Sequence, residues 1–499
     1  MQFRNKPYHT YRHLYTKKYF AVSFLLLLLM IISEASILTS CKKLVEVEPP
    51  VTSITGTNVY TSDATAIGVL SGIYLTMSSG NIAFATGPRG ISFYSGLSAD
   101  ELSLYDGIAS NSASYHYYRN SLFANKTTTT PGTEFWSPAY NLIFVCNSAI
   151  EGLTSSSTLT TQVKQQLTGE AKFLRAFFYF YLVNLYGDVP LVLTSDYTVN
   201  STLRRSPKEE VYNQIIIDLK DSQALLNENY LNGKLEKYSD IPERVRPTKW
   251  VATALLARAY LYLKDYKNSE MEATRIINNR TLFGLTPLNS TFLKNSNEAI
   301  WQLQPVLSGW NTEDALAFII PETGLNDNPA YLSAGLLNSF ELNDQRRNNW
   351  IGNVTISNDT FYFPYKYKVN MQDAPVTEYL MVFRLSEQYL IRAEARAQLG
   401  NATEAVADLN AIRKRAGLAN TTAVTIPNIL KDIYHERKVE LFTEWGHRWF
   451  DLKRTGAVNE VMNTVTPLKG GIWTSNAALY PLPLNEILKN TNLTQNPGY

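Results

Sequence analysis

Cysteine is nearly absent from this chain, with two in 499 residues, Cys41 and Cys146. So few thiols exclude a disulfide framework, and stability has to come from burial of a core. Histidine is scarce too: five in all, of which only His116, His435 and His447 lie beyond the first forty residues. Those three form no His-x-x-x-His pair, and no cysteine pair accompanies them, which argues against a zinc site. A Gly-x-Ser-x-Gly elbow and a Walker loop are missing, and with them the commonest hydrolase and nucleotide-binding signatures. Charge of one sign is also lacking. Lys and Arg number 46 against 44 Asp and Glu, so there is no basic excess of the kind that neutralises phosphates, and no nucleic-acid partner is expected.

Long apolar runs are missing with one exception. Phe20 to Ile32 is apolar and follows Arg4, Lys6, Arg12, Lys17 and Lys18, the order of a basic n-region and an apolar h-region in a secretory signal. The run is short of the roughly 20 residues a membrane-spanning helix needs. Beyond it, Ile37-Leu38 leads into Thr39-Ser40-Cys41, a step that resembles a lipobox, which implies acylation of Cys41 and removal of residues 1–40. The mature chain would then keep 41 basic and 43 acidic residues, a net charge near −2, and only Cys146 as a thiol. Residues 41–58 follow as a tether whose Pro49-Pro50 disfavours a helix.

What the rest of the chain has in plenty is helical periodicity. Trp250, Ala254, Ala257 and Leu261 fall on one helical face after the Pro247-Thr248 start signal. Ala257, Tyr260, Tyr266, Ala273 and Ile276 sit where a tetratricopeptide-like hairpin places its small and large packing residues. Gln388 to Gly417 repeats the plan, with Ala393 and Ala405 as the small residues and Leu409 and Ile412 as apolar cover. Glu134 to Leu153, Val211 to Leu226 and Ile429 to Arg454 add further helical runs. The expected fold is mainly α, about four tetratricopeptide-like hairpins with long loop-rich insertions and a few short strands. The insertions are residues 80–132 and 279–386, and their aromatic content, including Tyr94, Tyr105, Tyr115, Tyr117, Tyr118, Trp310, Tyr331 and Trp350, is too high for a disordered linker.

Several segments in order carry a family resemblance. Glu170 to Val192, with Arg175, Tyr179, Leu185, Tyr186, Gly187, Asp188, Val189 and Pro190, resembles the signature helix and loop of the SusD/RagB family. His435 to Gly456, and the ending from Leu482-Pro483 through Asn490 to Gln495-Asn496-Pro497-Gly498-Tyr499, resemble the same family, as do Ser98 to Leu102, Glu298 to Trp301 and Asp344 with Arg346 and Arg347. Trp445 departs from it, standing where many relatives carry a small residue. The resemblance implies an N-terminal region over residues 59–285 and a C-terminal region over 286–499. It also implies a lipoprotein of the outer membrane, facing the cell exterior, that partners a SusC-like TonB-dependent transporter and captures glycans or peptides. No catalytic set, no metal site and no cofactor is expected.

Two groups of residues invite a chemical reading. Arg437, Glu440, Glu444, Arg448 and Asp451 are spaced by three and four, which predicts five charges on one helical face; alternating signs there read as an ion-pair network rather than a glycosidase carboxylate pair. Asp188, between Tyr186-Gly187 and Pro190, reads as a turn residue at a helix exit. For binding, a sugar ring needs aromatic platforms for its C–H face beside hydrogen-bonding side chains for its hydroxyls. Asp100, Glu101, Tyr105, Tyr118, Trp310 and Asn311 are the ligand-binding candidates, placed by region. Loop carboxylates Asp100, Glu101 and Asp106 leave calcium open, although no EF-hand spacing is present. A surface glycosidase and a protein-only repeat scaffold are the competing classes, and peptide remains open beside glycan.

Overall fold

The structure, a computed structural model, describes residues 59–79, 90–125 and 130–499. The signal segment, Cys41, the tether and parts of the 80–132 insertion lie outside the described residues.

The architecture is organised around one long helix. Helices α1 (Asp63–Ser78), α2 (Ile91–Ser98), α3 (Ala113–Tyr118) and α4 (Trp136–Ser155) precede it, and α5 spans Thr161–Tyr186. The Thr160 side chain caps the α5 N-terminus by accepting from the Val163 N–H, and Gly187 (φ 74°) ends it. From Gln166 to Tyr186 every residue except Thr168 and Lys172 is buried. A helix apolar on all sides has to be covered on all sides. Here α4 packs on one flank and α6 (Lys208–Leu225) on another. Phe173 and Phe177 meet Trp301 and Phe383 from the sheet behind, with ring centroids 5.2–6.5 Å apart.

The hairpins read from the sequence follow in succession. Helices α7 (Lys249–Tyr262) and α8 (Tyr266–Ile277) form one; α9 (Leu385–Gln398) and α10 (Ala402–Arg415) form another. Each turns through a left-handed residue, Lys264 (φ 62°) and Gly400 (φ 86°). Ala254, Ala257, Leu261, Ala273 and Ile276 are buried in the first, and Ala393, Ala405, Leu409 and Ile412 in the second. Neighbouring hairpins pack α6 on α7 and α8 on α9. Buried ion pairs tie the stack laterally: Arg175 to Asp218 at 2.7 Å, Arg258 to Glu387 at 2.6 Å, Arg392 to Asp408 at 2.6 Å. Asp188 is the turn residue its position suggests, its carboxylate accepting the Lys208 N–H at 2.9 Å and so capping α6 from a distance.

The last helical run departs from expectation. Ile429 to Arg454 is not one helix: α11 covers Ile426–Glu440 and α12 covers His447–Arg454. Thr443, Trp445 and Gly446, all at positive φ, turn the chain between them. Gly446 approaches Ser95 so closely that a Cβ would lie 2.6 Å from its Oγ, and Trp445 is buried, its indole N–H donating to the Met381 carbonyl at 2.7 Å. The five charges therefore do not share a helical face. The ion-pair reading survives with different partners. Arg437 pairs with Asp451 at 2.7 Å, Glu444 with Arg384 and Lys366, and Arg448 with Asp100. Glu440 is held by Arg346 at 2.8 Å, Arg384 at 2.5 Å and Arg415. Burial alone would raise the Glu440 carboxyl, but the three guanidinium groups hold it well below the usual range.

Among the described residues the insertions supply three two-stranded antiparallel sheets: β1 (Leu102–Leu104) with β3 (Ala330–Leu332), β2 (Ala299–Leu303) with β6 (Leu380–Arg384), and β4 (Ile351–Ile356) with β5 (Asp359–Pro364). The β4–β5 hairpin turns on Ser357 and Asn358, both at positive φ as a two-residue primed turn demands. After α13 (Val458–Leu468) the C-terminal segment returns to the end of α5. There the Asn496 side chain donates to the Tyr186 and Tyr480 carbonyls. No described helix is long and apolar enough to cross a membrane.

Candidate ligand-binding face

The β1–β3 pairing brings together residues more than two hundred positions apart. Ser103 stands opposite Tyr331 in register, and directly opposed residues in an antiparallel pair project to the same face. Helix α3 lies beside this ribbon, begun by Ser112, whose hydroxyl accepts the Tyr115 N–H. That places Tyr118 beside the strand pair, where Ser103 is close enough to act on the hydroxyls of both Tyr118 and Tyr331. From the β4–β5 hairpin, Phe361 meets Tyr331 edge-on at 5.2 Å. Tyr105 follows β1, its N–H donating to the Pro329 carbonyl at 2.8 Å. Tyr105, Tyr118, Tyr331 and Phe361 are all half-buried and Asp106 is exposed. Burial raises the hydroxyl pKa of Tyr118, and Asp106 adds to the rise. Burial does the same at Tyr331, followed by its neighbours Tyr118 and Asp106. Both phenols therefore stay neutral, able to donate or accept hydrogen bonds.

The Lys469 ammonium sits 5.2 Å from the Tyr118 ring centroid and donates to the Leu97 and Ala99 carbonyls. Burial pushes its pKa down to about 7. Beside Tyr118, Tyr117 faces inward, fully buried, stacked on Tyr94 at 4.1 Å and bonded to Glu134.

The six candidates from the sequence divide into three places. Tyr105 and Tyr118 belong to the cluster. Asp100 and Glu101 lie beneath it, buried and engaged by protein. Arg448 bonds both Asp100 oxygens at 2.6 and 2.9 Å, and Lys438 approaches at 3.1 Å. Burial would raise the Asp100 carboxyl, but the Arg448 and Lys438 charges override it and hold it well below the carboxylate range. Glu101 has the opposite fate. Burial, then the negative charge of Asp100, pushes it up to about 8, and its Oε1 accepts the Thr443 N–H at 3.2 Å. Trp310 and Asn311 form a third place. Asn311 is buried, its Oδ1 accepting the Thr377 and Glu378 N–H groups and its Nδ2 donating to the Pro375 carbonyl. Trp310 is half-buried on the same loop. Tyr331 and Phe361 complete the cluster without being among the sequence candidates; for Tyr331 the signal is its place among the insertion aromatics. Among the described residues no group of three or more His, Cys, Asp or Glu is placed to hold a metal ion.

A model of the SusD family matches residues 338–499, and a second, described as starch-binding associating with outer membrane, matches residues 96–261. The chain belongs to the SusD/RagB family. A SusD-like protein of Formosa agariphila is 28% identical, the alignment covering 73% of this chain and 80% of that one. A SusD superfamily protein from Bacteroides vulgatus has a similar fold, with a TM-score of 0.74 at 21% identity over 88% of this chain and 99% of its own. A laminarin binding SusD-like protein gives 0.70 at 22% identity, over 87% and 99%. The family's helical, tetratricopeptide-like build is the one seen in α4 to α10. Its signature residues fall on packing duties: Arg175 on Asp218, Asp188 as a cap, Asn496 as the clamp on α5.

Proposed function

We propose that this chain is a cell-surface lipoprotein, anchored through Cys41 to the outer membrane, that captures oligosaccharides and delivers them to a SusC-like TonB-dependent transporter. The observation that carries the reading is the half-buried cluster of Tyr105, Tyr118, Tyr331 and Phe361 beside Ser103 and Asp106. Rings of this kind cover the C–H faces of sugars while hydroxyls and a carboxylate meet the rim. The starch-binding description of the matched family model and the laminarin-binding relative support carbohydrate over other ligands. Capture without bond cleavage fits the fate of the conspicuous carboxylates. Glu440, Glu444, Asp451 and Asp100 are engaged by Arg and Lys inside the protein rather than flanking a cleft.

The experiment is calorimetry of the purified protein against a panel of oligosaccharides and short peptides, with product analysis on the same samples. Saturable binding of an oligosaccharide without new reducing ends is the expected result. Saturable binding of peptides alone would make the chain a RagB-like peptide-capturing protein, and cleavage would make it an enzyme.

A further inference from the structure

One cavity among the described residues shares no residue with the aromatic cluster. It holds about 260 Å³ between α1, the 231–246 loop and the segment leaving β2. We propose that this cavity is a second carbohydrate subsite that seats a single neutral sugar ring, an inference that rests on the carbohydrate-capture reading above.

Size comes first. Pockets for drug-sized ligands run from roughly 300 to 1,000 Å³, so this one admits one ring rather than a length of chain. Its wall is mixed in the way a sugar requires. Leu75 and Val306 offer apolar surface, and the half-buried Tyr238 ring offers a platform. Two charged groups of opposite sign line it. Arg246 is 5% exposed and reaches only long contacts, 3.3 Å to Ser71 Oγ and 3.5 Å to Glu170, where charge-assisted hydrogen bonds normally close to about 2.7–2.9 Å. Its guanidinium thus keeps donor capacity for a ligand hydroxyl. Glu243 accepts from the Tyr379 hydroxyl at 3.0 Å, which leaves acceptor capacity on the carboxylate.

The charge balance selects the ligand class. Arg246 is offset by Glu170 behind it, and Glu243 adds a further negative charge, so a carboxylated sugar would be repelled. A polyol that accepts from the guanidinium and donates to the carboxylate satisfies both. The cavity also leads somewhere. An adjoining small hollow shares Ser78, Leu303, Gln304 and Val306 with it and continues to Asn311 on the loop that carries Trp310. An oligosaccharide with its terminal ring seated in the cavity would leave along that loop.

The test is ligand-observed NMR of the purified protein with glucose, galactose, mannose and xylose, and with glucuronate as the charged counterpart. It uses three variants: Leu75→Trp, which fills the mouth from an exposed position, Tyr238→Ala, which removes the platform, and Tyr118→Ala in the aromatic cluster. Thermal unfolding of each variant establishes that it is folded. The expected result is saturable binding of at least one neutral monosaccharide, weakened at least tenfold in Leu75→Trp and in Tyr238→Ala, with glucuronate weaker than glucose. Monosaccharide binding indifferent to both cavity variants, or none at all, overturns the proposal. If in that case oligosaccharides bind the wild type and lose affinity in Tyr118→Ala, the subsite alone has failed and the capture reading stands. If no carbohydrate binds in any form, both fail.

Discussion

Two regions of this molecule concentrate polar side chains, and they use them in opposite ways. Around Glu440, the residues Glu298, Arg346, Arg384 and Glu444 are buried, and together with the half-buried Arg415 they are bonded to one another, so that every charge has a protein partner. Around Tyr118, the polar atoms of Ser103, Tyr331 and Asp106 sit at a half-exposed surface among aromatic rings. The first arrangement locks the turn between α11 and α12 onto β6 and α10. The second leaves hydrogen-bonding groups facing outward beside apolar faces, which is what a ligand made of hydroxyls and C–H groups can use. The residues most suggestive of chemistry in the sequence belong to the scaffold, and the rings with no motif around them form the face.

The sharpest way to break this contrast is Glu440→Ala. It leaves three buried guanidinium groups without their shared carboxylate and is expected to cost roughly 3–5 kcal/mol of stability in urea unfolding, with ligand affinity intact in the folded protein. Glu101→Gln sharpens it from the other side. A carboxyl whose folded pKa is raised to about 8 opposes folding as pH climbs from its unfolded value near 4.5, because the unfolded chain sheds the proton first. Glu101→Gln keeps the acceptor for the Thr443 N–H, so its unfolding midpoint is expected to exceed the wild-type value at pH 8 and to match it at pH 4. On the proposed binding face, Tyr118→Ala is expected to weaken oligosaccharide affinity about tenfold, or 1.4 kcal/mol, with a far smaller change in unfolding midpoint than Glu440→Ala. The smallest effect belongs to Asp188→Ala, which removes a cap from α6 and is expected to lower stability by about 1 kcal/mol while leaving affinity untouched.

Much of the scaffold was legible because its information is local. Helix periodicity, small residues at hairpin contacts and the Asp188 turn all lie within a few positions of one another. The break at 441–446 was not legible, since the Arg437 to Asp451 spacing suits one continuous helix and the reason to turn lies elsewhere. Trp445 has to reach Met381, Phe177 and Tyr181, and Gly446 has to pass Ser95. The proposed binding face was half legible for the same reason. Tyr105 and Tyr118 announce themselves as aromatics in a polar insertion, but only the β1–β3 pairing delivers Tyr331, and only a hairpin still further along delivers Phe361. Asp100 and Glu101 look like loop carboxylates until Arg448 and Thr443, more than three hundred residues away, close over them.

The proposed role of the aromatic face, on an independently stable scaffold, is to hold a carbohydrate. Its most direct test is the Tyr118→Ala/Tyr331→Ala double variant in affinity electrophoresis and calorimetry with the oligosaccharide that binds the wild type, alongside its thermal unfolding. The expected result is a folded protein with a near wild-type midpoint that no longer retains that oligosaccharide. A folded double variant that binds it as tightly as the wild type would rule out this face as the binding site.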